Sequence, residues 1–97
     1  MDRGTPGCYL GTMVSQNNKT KVERVQTGVR MEKRLVKVLK GLAEYKDITL
    51  GDLLEGICLH AFEGQPAFGA ETLAKIADFK GIYELDLDAT HSHLLEE

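Results

Sequence analysis

Apolar and polar residues alternate along residues 25–31. One side of an extended chain would carry Val25, Thr27, Val29 and Met31, and the other Gln26, Gly28 and Arg30. A period of two is typical of a strand with one buried and one exposed face. The pattern therefore predicts a short strand here, with a basic lead-in over residues 19–24.

The period then changes to that of two amphipathic helices. Over residues 32–46 the apolar stripe is Leu35, Val36, Val38, Leu39, Leu42 and Ala43. A second stripe consists of Leu50, Leu53, Leu54, Ile57, Cys58, Ala61 and Phe62. Thr49 is predicted to begin the second helix, because its spacing to Asp52 resembles a capping box, and Gly64 to end it. Both helices should bury their stripes in one core, with Cys58 facing inward.

The remaining segments are less regular. Residues 1–18 mix Gly, Pro, Thr, Ser and Asn and are predicted to form a flexible arm. A shorter helix fits residues 70–79, within an extension that covers residues 64–97. Tyr83, Leu85 and Leu87 then alternate with three acidic residues, which predicts either an edge strand or an extended acidic peptide.

Composition places the chain among single-domain globular proteins. It has 97 residues, of which 42% are hydrophobic, and no apolar run reaches the roughly 20 residues that span a bilayer. The first 18 residues lack the apolar core of a signal peptide. Cys8 and Cys58 lie in unlike settings, so a disulfide framework is not expected. A soluble, cytoplasmic protein without membrane contact is the expectation.

The charge is unevenly distributed along the chain. Residues 1–46 hold ten Lys or Arg against four acids, whereas residues 47–97 hold two against eleven. The halves therefore carry about +6 and −9, within a total of −3. Such a split suggests that one face meets a polyanion and another face meets something else.

No pattern for metal binding or catalysis stands out. Cys58 and His60 lie two residues apart and should diverge on a helix, whereas zinc needs three or four convergent ligands. The glycines form no phosphate-binding loop, and no Ser or Cys lies in a nucleophile motif. We therefore expect no metal, no cofactor and no enzymatic activity.

Residues 25–62 resemble the ribbon-helix-helix family of repressors. They combine a short predicted strand with two helices, which are joined by a tight turn, and the second helix has a cap. The resemblance implies a mainly α fold in which two chains intertwine as a homodimer through an intermolecular two-stranded antiparallel β-ribbon. In that family the ribbon enters the major groove of double-stranded DNA. The expected function is therefore that of a dimeric, sequence-specific DNA-binding transcriptional regulator, with a ribbon-helix-helix domain at residues 19–63.

The resemblance also assigns roles to individual residues. The base-reading positions of the family fall on Gln26, Gly28 and Arg30; Arg and Gln can pair with guanine and adenine edges in the major groove. The family's phosphate anchor at the start of the second helix falls on Thr49 and Leu50. Basic residues beside the predicted ribbon are expected to contact phosphates without regard to sequence. They are Lys21, Arg24, Lys33 and Arg34.

Two other functions fit the same sequence. In the first, the DNA-binding dimer resembles an antitoxin, and residues 64–97 bind a protein partner. In the second, the fold serves only as a dimerisation or scaffold module. The overall acidity, the missing side chain of Gly28 and the negative charge of Asp52 favour this second alternative.

Overall fold

The computed structural model describes residues 19–97, and the arm predicted for residues 1–18 lies outside them. Three helices follow one another: α1 (Lys33–Lys46), α2 (Leu50–Phe62) and α3 (Ala70–Ile82). A short 3-10 helix, Ala89–His91, lies in the chain after α3. The prediction of a mainly α protein is confirmed. None of the helices in this part of the chain is long and apolar enough to span a membrane.

Side-chain caps define where α1 and α2 begin. The Glu32 carboxylate accepts a hydrogen bond from the backbone N–H of Leu35 at 2.9 Å, and the Thr49 hydroxyl accepts one from the N–H of Asp52 at 3.0 Å. These bonds satisfy N–H groups that have no partner within the first turn of a helix. The predicted start of the second helix at Thr49 is therefore confirmed. Gly64, at φ 68°, follows the end of α2 as predicted.

Helix α1 is the centre of the fold, since it packs against both α2 and α3. The fully packed cluster consists of Leu42, Ala43 and Leu53. Around it lie five partly buried residues, namely Leu39, Ile48, Ile57, Phe68 and Ile76. The core is small because a single helix layer on each side of α1 covers only part of its apolar surface.

The predicted ribbon-helix-helix fold is wrong, because residues 19–97 contain no strand and hence no β-ribbon. Residues 25–31 have no regular secondary structure and are exposed throughout. No backbone hydrogen bond joins them to another segment between residues 19 and 97. A period of two indicates which side chains share a face, but a strand forms only where a neighbouring strand pairs with its backbone.

The apolar stripe of α2 is only half covered. Leu53 is buried and Leu54 and Ile57 are partly buried, whereas Cys58 and Phe62 are exposed. The prediction that Cys58 faces the core is therefore wrong. α1 covers the first half of the stripe, and α3 does not reach the second half, which leaves an apolar surface at the end of α2.

The extension after α2 belongs to the same core. α3 runs three residues beyond the predicted limit of residue 79, and Leu85 behind it is buried. Tyr83, Leu85 and Leu87 are more buried than the acids between them, so the alternation correctly predicts which side chains face inward. This segment forms no strand, so the predicted edge strand is wrong. The chain turns at Tyr83 and Glu84, where φ of Glu84 is 57°, and residues 85–88 have no regular secondary structure.

Two helical glycines make a matched pair for a stability test. A Cβ atom at Gly41 would lie 3.0 Å from Cε1 of Phe79, whereas one at Gly56 would meet nothing within 4 Å. We expect Gly56→Ala to raise the free energy of unfolding by about 0.5–1 kcal/mol, the usual gain of Ala over Gly in a helix. Gly41→Ala should show no such gain in urea denaturation, because the Phe79 ring must move. An equal gain at both positions would contradict this packing of α3 on α1.

Candidate nucleic-acid interface

Two of the four basic residues predicted to contact phosphates, Lys21 and Arg24, lie on an exposed segment without regular secondary structure, which we call the basic arm (residues 19–31). Lys33 and Arg34 lie on the first turn of α1. Its apolar side chains are as open as its charged ones: Val25 is 82% exposed and Val29 is 74% exposed. Residues 19–40, the arm together with the first half of α1, hold eight Lys or Arg against two Glu. The arm thus presents positive charge and unpaired backbone on one continuous surface.

Arg24 ties the basic arm to α2. Its Nε and Nη2 atoms donate to the two carboxylate oxygens of Glu55 at 2.8 and 2.9 Å. This two-point geometry is the strongest form of Arg–carboxylate pairing. The hydrogen bonds from Arg24, followed by its charge, lower the pKa of Glu55. Glu55 therefore stays ionised at any pH near neutral, and the pair persists there.

Arg34 lies at the centre of a second group, on the first turn of α1. Its Nε donates to Glu32 at 3.0 Å, and its Nη1 donates to the carbonyl of Glu84 at 3.0 Å and to Asp86 at 3.1 Å. The pKa of Glu32 is lowered, first by the hydrogen bond from the N–H of Leu35 and further by Arg34. The two bonds from Arg34 to Glu84 and Asp86 hold the acidic segment after α3 against the start of α1.

Two further contacts join the basic and acidic halves of the chain. The Arg30 guanidinium donates to the carboxylate of Glu97, and the ammonium of Lys37 lies 5.9 Å from the ring centre of Tyr83. Arg30 and Glu97 are both about 80% exposed. All three arginines predicted to contact DNA thus have a carboxylate partner within the chain.

The three residues predicted to read bases lie on the surface, but they do not form one face of a strand. Gln26, Gly28 and Arg30 are all exposed. A Cβ atom at Gly28 would meet nothing within 4 Å, so the backbone there is open to a close approach. Since the strand is absent, the regular spacing on which the base-reading prediction rested is not present in residues 19–97.

The predicted phosphate anchor at the start of α2 carries acidic neighbours. Thr49 is exposed, and its hydroxyl is already used as the cap of the helix. Asp52, in the first turn, is near enough to Arg24 to raise the pKa of that guanidinium after the larger contribution of Glu55. The structure therefore brings Arg24 close to the first two turns of α2 and leaves Lys21 and Lys33 exposed.

Sequence reasoning missed the residues that neutralise the arginines, namely Glu32, Glu55, Asp86 and Glu97. The opposite charges of the two halves indicated that they attract one another. The individual pairs could not be predicted, because Arg24 and Glu55 are 31 residues apart and Arg34 and Asp86 are 52 apart. Only the packing of α2 and α3 on α1 decides which charges meet.

Comparison with known proteins adds no constraint: no family model, no curated protein and no solved structure matches the chain. Over residues 19–97, no three His, Cys, Asp or Glu side chains form a group that could hold a metal ion.

Proposed function

We propose that the protein is a homodimeric DNA-binding regulator of the cytoplasm, in which the basic arm and the first turns of α1 contact the phosphate backbone. The observation that carries the proposal is the basic arm itself. It is exposed, has no regular secondary structure and is rich in Lys and Arg, and no other segment of the described chain pairs with its backbone. Such a segment can follow the phosphates of a duplex, and arginines on extended arms can also enter the minor groove.

The carboxylate partners of the arginines are compatible with DNA binding. The three arginines form four ion pairs, and the side-chain exposures of these arginines are 36% to 82%. Exposed ion pairs contribute only about 0–1 kcal/mol each. A duplex, which offers many phosphates and releases counterions as it binds, can replace these partners at a small cost.

The uncovered end of α2 supports the homodimer. Leu59 and Phe62 lie on one face of α2, three residues apart, and are 65% and 81% exposed. Glu55, which holds the basic arm through Arg24, is on the same face one turn earlier, so the arm is anchored beside this surface. A second copy of the chain can cover Leu59 and Phe62, and the dimer would then carry two basic arms.

The test is binding of the full chain to a random-sequence duplex across a salt series. We expect the logarithm of the association constant to fall steeply and linearly with the logarithm of salt concentration, as counterions are released. Arg30→Ala should weaken binding and lower the salt slope by about two per dimer, one for each lost phosphate contact. Fluorescence anisotropy with a labelled duplex measures both quantities.

Lys75→Ala is the matched control, because Lys75 lies on α3 and pairs with Asp78 and the Tyr45 ring, away from the basic arm. The affinity of Lys75→Ala for the duplex and the slope of its salt dependence should equal those of the wild type.

A series of duplexes with different sequences then separates two roles for Arg30. A loss of affinity that is uniform across the series indicates a phosphate contact, and a loss confined to some sequences indicates base reading. Equal, small effects of Arg30→Ala and Lys75→Ala on the affinity for DNA would contradict DNA binding by the basic arm.

A dimerisation module without DNA binding is the second candidate. The pairing of Arg24, Arg30 and Arg34 with carboxylates favours it, because the positive charge is already neutralised within the chain. Absence of binding at about 50 mM salt would support this function. The antitoxin-like alternative has less support, since α3 packs on α1 and Leu85 is buried within the single chain.

A further inference from the structure

A cavity of about 440 Å³ lies between α1, α3 and the segment that follows α3. Nine of its fourteen lining residues are aliphatic or aromatic, among them Leu39, Phe68, Ile76 and Leu87. These four side chains are only partly buried, so the protein does not fill the space that they enclose. The volume falls within the range of about 300–1,000 Å³ that is typical of small-molecule sites.

Water is a poor occupant of such a cavity. The cavity is about half open to solvent, and water against its apolar walls lacks the two to four polar partners that hold an ordered molecule. The aliphatic walls therefore favour a hydrocarbon chain or ring as the occupant.

The polar residues of the lining favour a negative group on that ligand. The Asp88 carboxylate accepts one hydrogen bond from the N–H of Thr90 at 2.9 Å and another from the Thr90 hydroxyl, so its charge is already satisfied locally. Lys80 lines the same cavity, and no carboxylate between residues 19 and 97 lies within ion-pair distance of it. Lys80 is the lysine of this lining, and its side chain can neutralise an anion.

We propose that this cavity is a binding site for a small apolar carboxylate, such as a medium-chain fatty acid, with the chain against Leu39, Ile76 and Leu87 and the carboxylate on Lys80. The site is separate from the basic arm and does not depend on DNA binding. Its walls include the peptide that carries Asp86, the partner of Arg34.

The test is titration of the 15N-labelled full chain with octanoate, and in parallel with 1-octanol, followed by amide chemical shifts. We expect saturable shifts around Leu39, Ile76 and Leu87, and none around Leu59 on the far face of α2. Lys80→Gln should weaken octanoate binding about tenfold, the loss of one charge-assisted contact, and leave 1-octanol unchanged. Lys75→Gln, on the same helix but outside the cavity lining, should bind both ligands as the wild type does.

Leu87→Trp provides a second, independent readout, because the larger ring would occupy the cavity from a segment outside the helices. Octanoate binding should be lost while the helical circular dichroism signal is retained. Shifts that do not saturate, or that centre on α2, would overturn the site. Equal affinity of Lys80→Gln and the wild type for octanoate would overturn the assignment of a carboxylate ligand.

Discussion

Leu42→Ala is expected to lower the free energy of unfolding by about 2–5 kcal/mol. Leu42 is 1% exposed and lies in the packed cluster with Ala43 and Leu53. Truncation removes apolar contacts and leaves a cavity that the rigid neighbours fill only in part. Domains of this size commonly have only about 5–15 kcal/mol of stability, and so small a core places this one towards the lower end. Urea denaturation followed by circular dichroism measures the change.

Leu73→Ala serves as the control for this variant. Leu73 is also a helical leucine, but it is 53% exposed on α3, so its truncation should cost less than about 1 kcal/mol. Because both variants replace a helical leucine with alanine, the difference between their losses of stability reports the effect of burial. Similar losses at Leu42 and Leu73 would show that the core does not lie between α1 and α2.

Phe62→Lys is expected to raise the dissociation constant of the proposed homodimer about 100- to 1,000-fold. Phe62 is 81% exposed at the end of α2, and an aromatic residue at the centre of an interface commonly contributes 2 kcal/mol or more. A two-fold dimer loses this contribution twice and gains two like charges. Sedimentation velocity over a concentration series measures the equilibrium.

The fold of the monomer should survive this change, because Phe62 takes no part in the core around Leu42. Leu94→Lys, at a residue that is 72% exposed after α3, is the matched control and should dimerise normally. DNA binding by Phe62→Lys should also weaken, since each monomer carries one basic arm. A dimer that persists in Phe62→Lys would place the interface elsewhere, and a wild-type monomer at all concentrations would contradict the homodimer.

The three proposals can fail separately. Loss of DNA binding with an intact dimer supports the scaffold function. The octanoate site is tested only by the variants of Lys80 and Leu87. Arg30 and Phe62 lie outside the lining of the cavity, so neither of those variants should change octanoate binding.

Local features of the molecule were determined by the sequence. The 3.6-residue period predicted α1 and α2, since an amphipathic stripe must face a core. Thr49 marked the start of α2 because its hydroxyl can satisfy an N–H of the first turn, and Gly64 marked the end because it tolerates a positive φ. The inward direction of Leu85 also followed from alternation, although the segment is not a strand.

The tertiary structure decided which segments pack against one another. The period of two over residues 25–31 predicted a strand, but strand formation depends on a partner segment, and none lies beside it between residues 19 and 97. Likewise, the stripe of α2 did not reveal that Cys58 and Phe62 remain uncovered, because this depends on the reach of α3. The pairing of Arg24 with Glu55 and the cavity beside Lys80 involve residues distant in sequence. Long-range contacts of this kind follow from how the helices pack, which no local pattern encodes.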